Sequence, residues 1–139
     1  MIDWPTELPL IQATAPLYGV DAYYIAAIRH QENGPPSAES GHEFGEFGVP
    51  TADAPDYQSQ LATCCATVRD RMGEYMGPPF LMMQGPKVKR LAYARAFISW
   101  FASKWAPVGV NNDPTNLNAG WPAGVMAAYY GFIALGRVQ

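Results

Sequence analysis

Glycine and proline divide this chain into segments with helical patterns, and this division limits the fold more than any other feature. Proline lacks a backbone N–H and clashes with the preceding turn, so a helical pattern stops at or before it. Such breaks occur at "GPP" from Gly34, at "GPP" from Gly77 and at Pro107. The intervening apolar spacing predicts helices at 22–33, at 57–76, at 87–105 and from Pro122 onward.

The segment 34–56, between the first two predicted helices, has a different composition. It is rich in Gly, Pro and Ser, and "EFGEF" from Glu43 alternates acidic and aromatic residues. This pattern is typical of a short β-hairpin or an ordered loop. The chain is therefore predicted to be a mostly α single domain, residues 1–139, with this insertion after its first helix.

Composition excludes several functions. Of 139 residues, 49% are apolar, which suffices for one core, and the net charge of −3 leaves no basic face for nucleic acid. No apolar run approaches the ~20 residues of a membrane span, so no membrane insertion is expected. The adjacent Cys64 and Cys65 are predicted to be free thiols, and the N-terminal residues do not resemble a signal peptide. We expect a monomer that is made in the cytoplasm.

Glu32 is the first candidate functional residue. It shares a helix face with Ile25 and Ile28, at the end of "IAAIRHQENG". Both burial on an apolar face and the negative end of the helix dipole would raise the pKa of its carboxyl group. A carboxyl group that stays protonated near neutral pH is suited to general acid catalysis. Alternatively, Glu32 turns outward to solvent where the helix frays.

Two stretches resemble the lytic transglycosylase and goose-type lysozyme group. "YGVDAYYIAAIRHQENG", from Tyr18, is similar to the family's catalytic helix, which ends in Q-E-S-G; here Asn33 replaces the serine. "AAYYGF", from Ala127, is similar to the family's A-A-Y-N-x-G, with Tyr130 in place of the asparagine. Between them, "FGVPT" keeps Gly48 of a G-L-M-Q segment but lacks the glutamine.

The resemblance implies a lysozyme-like fold and cleavage of the glycan strand of bacterial peptidoglycan, with Glu32 as general acid and base. The implied reaction needs no cofactor. In such enzymes the tyrosine that matches Tyr129 packs near the catalytic glutamate. The predicted substrate-binding residues are Gln31, Glu43, Gly48, Asn118, Trp121, Tyr129 and Tyr130.

The second catalytic group depends on the reaction. An inverting hydrolase needs a second carboxylate that holds a water, whereas a lytic transglycosylase uses one glutamate and a hydroxyl of the sugar itself. Glu43, Glu46 and Asp53 are the candidates, and Glu46 is the preferred second catalytic residue. Otherwise Glu43 and Glu46 are solvent-facing residues of a hairpin.

The loop "NNDPTNLNAGW", from Asn111, could line a sugar groove, because amides and an indole suit acetamido sugars. Asn and Asp beside proline are also common in turns. Asn118 and Trp121 are the two residues we retain for sugar binding. "NDPTNLN" is similar to a stretch of phage-encoded proteins of this type. The expected setting is therefore phage lysis or a virion, with action on the cell wall or in the periplasm.

The other polar residues give weaker signals. His30, His42 and Glu43 lack the spacing of a zinc site, and the Asn-rich loop lacks the ligands of a calcium loop, so no metal is predicted. The cations at 87, 89, 90 and 95 are typical of a solvated helix face, with binding of muropeptide carboxylates as the alternative.

Two further functions stay open from the sequence. One is a non-catalytic lysozyme-fold module that serves a phage as a structural or wall-binding part. The other is N-acetylglucosaminidase activity, which cuts the neighbouring bond with the same acid. The sequence does not distinguish these from a muramidase or a lytic transglycosylase, nor does it identify the host.

Overall fold

The computed structural model describes residues 2–76, 87–105 and 117–133. Within these ranges the chain is mostly helical, as predicted. Two 3₁₀ turns, Ala15–Tyr18 and Leu117–Gly120, accompany five α-helices. The helices are α1 (Trp4–Thr14), α2 (Ala22–Glu32), α3 (Tyr57–Met76), α4 (Lys87–Trp105) and α5 (Trp121–Ile133). No helix of the described ranges has the length and apolar character required to cross a membrane.

Helix α1 was not predicted from the sequence, because Pro5 and Pro9 interrupt its pattern. Pro5 lies in the first turn, where no backbone N–H is needed, and Pro9 lies inside the helix. The helix is nevertheless anchored, because Leu8 and Ile11 are buried in the core. Tertiary packing therefore outweighs the low helix propensity of the prolines.

Helix α2 is the central helix. The Asp21 carboxylate caps its start by accepting a hydrogen bond from the Tyr23 N–H at 2.9 Å. Asn33, in the left-handed conformation with φ 44°, ends it. The six consecutive residues from Tyr24 to Arg29 are buried, as expected of a helix covered on all sides.

Helices α2 and α5 pack against each other in antiparallel orientation. The Trp121 side chain, at the start of α5, meets Glu32 at the end of α2. Eight residues later, the Tyr129 hydroxyl meets the Asp21 carboxylate at the start of α2. The two contacts fix the register of α5 on α2, so that the first turn of α5 lies beside Glu32.

The insertion between α2 and α3 is an ordered loop with one antiparallel bridge, between Phe44 and Pro50. Its described residues include no strand. Gln60, wholly buried on α3, holds this loop through its side-chain amide. The amide oxygen accepts hydrogen bonds from the N–H groups of Phe47 and Val49 at 3.2 and 3.3 Å. The amide nitrogen donates to the Val49 and Ala54 carbonyls, both at 2.8 Å.

Aromatic rings connect the core to the C-terminal end of α2. Phe101 lies 5.3 Å from Phe97, 5.4 Å from Trp105 and 5.9 Å from Trp121, measured between ring centroids. Such ring pairs are stabilising beyond the area that they bury. The cluster therefore places two rigid indoles beside Glu32.

Candidate active site

Glu32 is the last residue of α2, and its side chain is half-buried. The Trp121 indole N–H donates a hydrogen bond to Glu32 Oε2 at 2.9 Å. The Trp105 indole, from the end of α4, interacts with the same carboxyl group and also favours its ionised form. The glutamate is therefore held between indoles from α4 and α5 rather than turned outward to solvent.

Gly48 lies against the other carboxyl oxygen. A Cβ atom added to Gly48 would lie 1.8 Å from Glu32 Oε1, so the glycine backbone packs directly on this oxygen. Gly48 also has a φ of +75°, which favours glycine. The two oxygens of Glu32 are thus in different surroundings: Oε2 is bonded to Trp121, and Oε1 lies against Gly48.

Burial is the main influence on the titration of Glu32. It raises the pKa of this carboxyl group above the ordinary value of a glutamate, while the hydrogen bond from Trp121 and then the interaction with Trp105 oppose the rise. On α3, burial raises the pKa of the Cys64 thiol well above its ordinary value, and the charges of Cys65 and Glu32 add to this rise. Glu32 thus has a buried thiol nearby as well as two indoles.

A groove of about 290 Å³ lies beside Glu32. Gly48 and Trp105, which both contact the glutamate, form part of its wall, whereas Glu32 itself is not among the described lining residues. The other lining residues are Phe44, Val49, Pro50, Asp53, Thr63, Thr67 and Lys104. Apolar surfaces, hydroxyl groups and two opposite charges suit a polar ligand with apolar faces, such as a sugar.

Gly48→Ala tests the contact between the loop and Glu32. The Cβ atom would force the carboxyl group away from Trp121, which adds a packing cost of ~1–3 kcal/mol to the backbone strain at positive φ. Gly19→Ala is the matched control, because Gly19 has a φ of +71° and no atom within 4 Å of an added Cβ. In urea denaturation we expect Gly48→Ala to be the more destabilising variant. Equal losses would contradict the contact.

Glu46 lies apart from this groove. It is 7% exposed, its Oε1 accepts a hydrogen bond from the Ser37 N–H at 3.2 Å, and its carbonyl accepts one from Arg29 at 3.3 Å. With Arg29 and Glu7 it lines a second cavity, of about 470 Å³, whose wall includes neither Gly48 nor an indole. Of the predicted second carboxylates, Asp53 lines the groove and Glu46 does not.

The remaining predicted site residues are distributed over the molecule. Gln31 packs on α5, where a Cβ added to Gly124 would lie 1.9 Å from its Oε1. Tyr129 is buried and donates to Asp21 at 2.5 Å, about 16 Å along α2 from Glu32. Tyr130 and Glu43 are exposed.

The Asn-rich loop is described only at its end. Asn118 belongs to the turn Leu117–Gly120, and the described part of this residue is its backbone. Asn111, Asn112 and Asn116 lie outside the described residues. Trp121 is the member of this group that the structure brings to Glu32.

Trp105 and Lys104 were not predicted as site residues. The apolar spacing of the predicted helix 87–105 accounts for Trp105, and Lys104 belongs to no motif. One feature of the sequence could have indicated these two residues, because both lie in the last turn of a predicted helix, just before Pro107. In a helical bundle this helix end could lie next to the end of α2. The sequence did not indicate which helix ends meet.

No family model, no curated protein and no solved structure matches the chain. The features of the site itself are a half-buried carboxyl group that accepts a hydrogen bond from the Trp121 indole, a second indole beside it, and a neighbouring groove. In the described ranges, no three His, Cys, Asp or Glu side chains form a group that could hold a metal ion.

Proposed function

We propose that this chain cleaves the glycan strand of peptidoglycan, with Glu32 as the catalytic acid. The observation that carries the proposal is the Glu32 carboxyl group, whose pKa is raised by burial beside a groove. Cleavage of a glycosidic bond requires a protonated carboxyl group next to the leaving oxygen. The similarity of 18–34 to the catalytic helix of lytic transglycosylases and goose-type lysozymes supports the same assignment.

The two oxygens of Glu32 have separate roles in this mechanism. Oε1, against Gly48 of the groove wall, carries the proton and donates it to the glycosidic oxygen. Oε2 stays bonded to the Trp121 N–H, which fixes the plane of the carboxyl group. Once the proton has left, the hydrogen bond from Trp121 and the interaction with Trp105 stabilise the carboxylate. In the next step the carboxylate acts as base.

The group that Glu32 then activates determines the reaction class. In a transglycosylase it is a hydroxyl group of the muramic acid itself, and no second carboxylate is needed. In an inverting hydrolase a water attacks, and a second carboxylate must hold it across the groove. For a hydrolase we propose Asp53 for this role, because it lines the groove, whereas the Glu46 carboxylate accepts a hydrogen bond from Ser37 in another cavity.

Digestion of purified peptidoglycan, followed by mass spectrometry of the products, tests the proposed function. A 1,6-anhydro end identifies a transglycosylase, a reducing muramic acid a muramidase, and a reducing glucosamine a glucosaminidase. If the folded protein releases no products but still binds the glycan, it is instead a non-catalytic wall-binding module. A phage lysis or virion setting is part of the proposal, and its support is the sequence similarity of "NDPTNLN".

Trp121→Phe tests the role of the indole donor. The phenyl ring keeps the packing on Phe101 but removes the N–H that favours the ionised form of Glu32, so the pKa of Glu32 should rise further. We expect kcat/KM to fall roughly tenfold or more, since hydrogen bonds to charged groups contribute ~1.5–3 kcal/mol. The alkaline limb of its pH profile should move to higher pH, because the acid stays protonated longer.

Trp100→Phe is the matched control for this experiment. Trp100 is a partly buried indole on the same helix as Trp105, and it packs on Tyr75 and Phe97. Its replacement should leave the alkaline limb in place. If Trp121→Phe lowers activity without moving the limb, the indole has a structural role only.

A further inference from the structure

The groove beside Glu32 contains two ionisable side chains, Asp53 and Lys104. Lys104 lies in the last turn of α4, and its ammonium group is 5.7 Å from the centroid of the Trp100 ring. Within the described part of the chain, Lys104 forms no ion pair. No described carboxylate therefore competes with a ligand for this ammonium group.

Lys104 immediately precedes Trp105, whose indole interacts with Glu32. Both residues line the groove, so a cation lies in the wall next to the residue that connects the wall to the proposed acid. In peptidoglycan every second sugar is a muramic acid, which carries a lactyl ether with a carboxyl group at its end. An acid that protonates the oxygen beside a muramic acid therefore has this substituent within one sugar of itself.

We propose that Lys104 binds a carboxylate of the muramic acid substituent, so that the groove prefers anionic peptidoglycan glycan to a neutral glycan such as chitin. This inference rests on the proposed function and specifies its substrate class. The carboxylate comes either from the unsubstituted lactyl group or from the peptide stem. The two sources share the chemistry that an ammonium group recognises.

The position of Lys104 at a helix end offers a simpler explanation of the residue. A cation in the last turn interacts favourably with the helix dipole. That interaction needs only a cation in the last turn, on any face of α4. It does not account for a lysine on the face that lines the groove, beside the tryptophan that contacts Glu32.

Binding is measured by calorimetry in the Glu32→Gln background, so that the ligand is not consumed. The ligands are three tetrasaccharides: neutral chitotetraose, a peptidoglycan glycan without peptides, and the same glycan with peptide stems. Lys104→Gln should weaken the binding of an anionic ligand about fivefold, as expected of a partly exposed charge pair, and leave chitotetraose unchanged. The anionic ligand that loses affinity identifies the source of the carboxylate.

Lys104→Arg keeps the charge and should retain the preference for the anionic glycan. Arg71→Gln, which removes a partly exposed cation on α3 outside the groove lining, is the matched control and should change no affinity. If Lys104→Gln weakens the binding of all three ligands equally, or of none, the inference about Lys104 is overturned. Cleavage of peptidoglycan by the wild type would still support the proposed function in that case. A wild type that neither binds nor cleaves these glycans would overturn both proposals.

Discussion

Glu32→Gln is expected to reduce the cleavage of peptidoglycan by a factor of ~10²–10⁴, which is the usual contribution of a general acid. Glutamine keeps the size of the side chain and an oxygen that can accept from Trp121, but it has no proton to donate to the leaving oxygen. Muropeptides released from purified peptidoglycan, quantified by mass spectrometry, measure the loss. Circular dichroism of both proteins verifies that the helices are retained.

The same variant should be at least as stable as the wild type at neutral pH. The folded protein raises the pKa of Glu32, so the stabilisation from this group is present at acidic pH and is lost as the pH rises through the folded-state value. The stability of the wild type should therefore fall relative to that of Glu32→Gln between acidic and neutral pH. Urea denaturation at a series of pH values measures this difference.

Glu39→Gln is the matched control for both measurements. Glu39 is an exposed glutamate of the loop after α2, outside the lining of the groove. Its replacement should leave both the cleavage rate and the pH dependence of stability as in the wild type. Unchanged cleavage by Glu32→Gln would mean that another residue is the acid. A loss of cleavage shared by Glu39→Gln would mean that the assay does not report on the groove.

The apolar spacing of this sequence predicted α3 and α4 at their observed bounds, because both helices carry a regular apolar stripe between strong helix breakers. It did not predict α1, because Pro9 argues against a helix and the buried contacts of Leu8 and Ile11 are tertiary. The apolar pattern of a segment therefore predicts a helix whose stability depends on its local sequence. It does not predict a helix whose stability depends on contacts with distant residues.

The candidate site follows the same division. Glu32 was predictable because its helix face and helix end are local properties, and burial raises its pKa. The Trp121 contact spans 89 residues, so local patterns indicated a sugar-binding role for Trp121 rather than the hydrogen bond to Glu32. Asp53 and Glu46 belong to the same insertion. The path of this loop in the folded chain places Asp53 in the groove and Glu46 in a different cavity.

Arg29→Met is expected to destabilise the fold by ~3–5 kcal/mol. The Arg29 guanidinium donates to Glu7 through Nε at 2.6 Å and Nη2 at 3.2 Å, and the two side chains are only 6% and 12% exposed. Removing the cation leaves the Glu7 carboxylate buried without its partner. The shift in urea midpoint measures the loss.

A double-mutant cycle and a control at an exposed ion pair test whether the lost stability comes from the Arg29–Glu7 pair. Adding Glu7→Gln to Arg29→Met should recover part of the lost stability, because no unpaired charge is then buried. Arg71→Met is the control, since its pair with Glu74 is 36% and 51% exposed and should contribute less than ~1 kcal/mol. If Arg29→Met costs no more than Arg71→Met, the Arg29–Glu7 pair does not stabilise the fold.

Arg29 also connects stability to the site, because its Nη1 donates to the Glu46 carbonyl at 3.3 Å. The same carbonyl accepts from the Gly34 N–H at 3.3 Å, and both bonds hold the loop that carries Gly48. Loosening this loop would move Gly48 away from Glu32 Oε1 and admit water, which lowers the pKa of the carboxyl group toward its ordinary value. The molecules of Arg29→Met that remain folded should therefore cleave peptidoglycan more slowly, with the alkaline limb of the pH profile at lower pH.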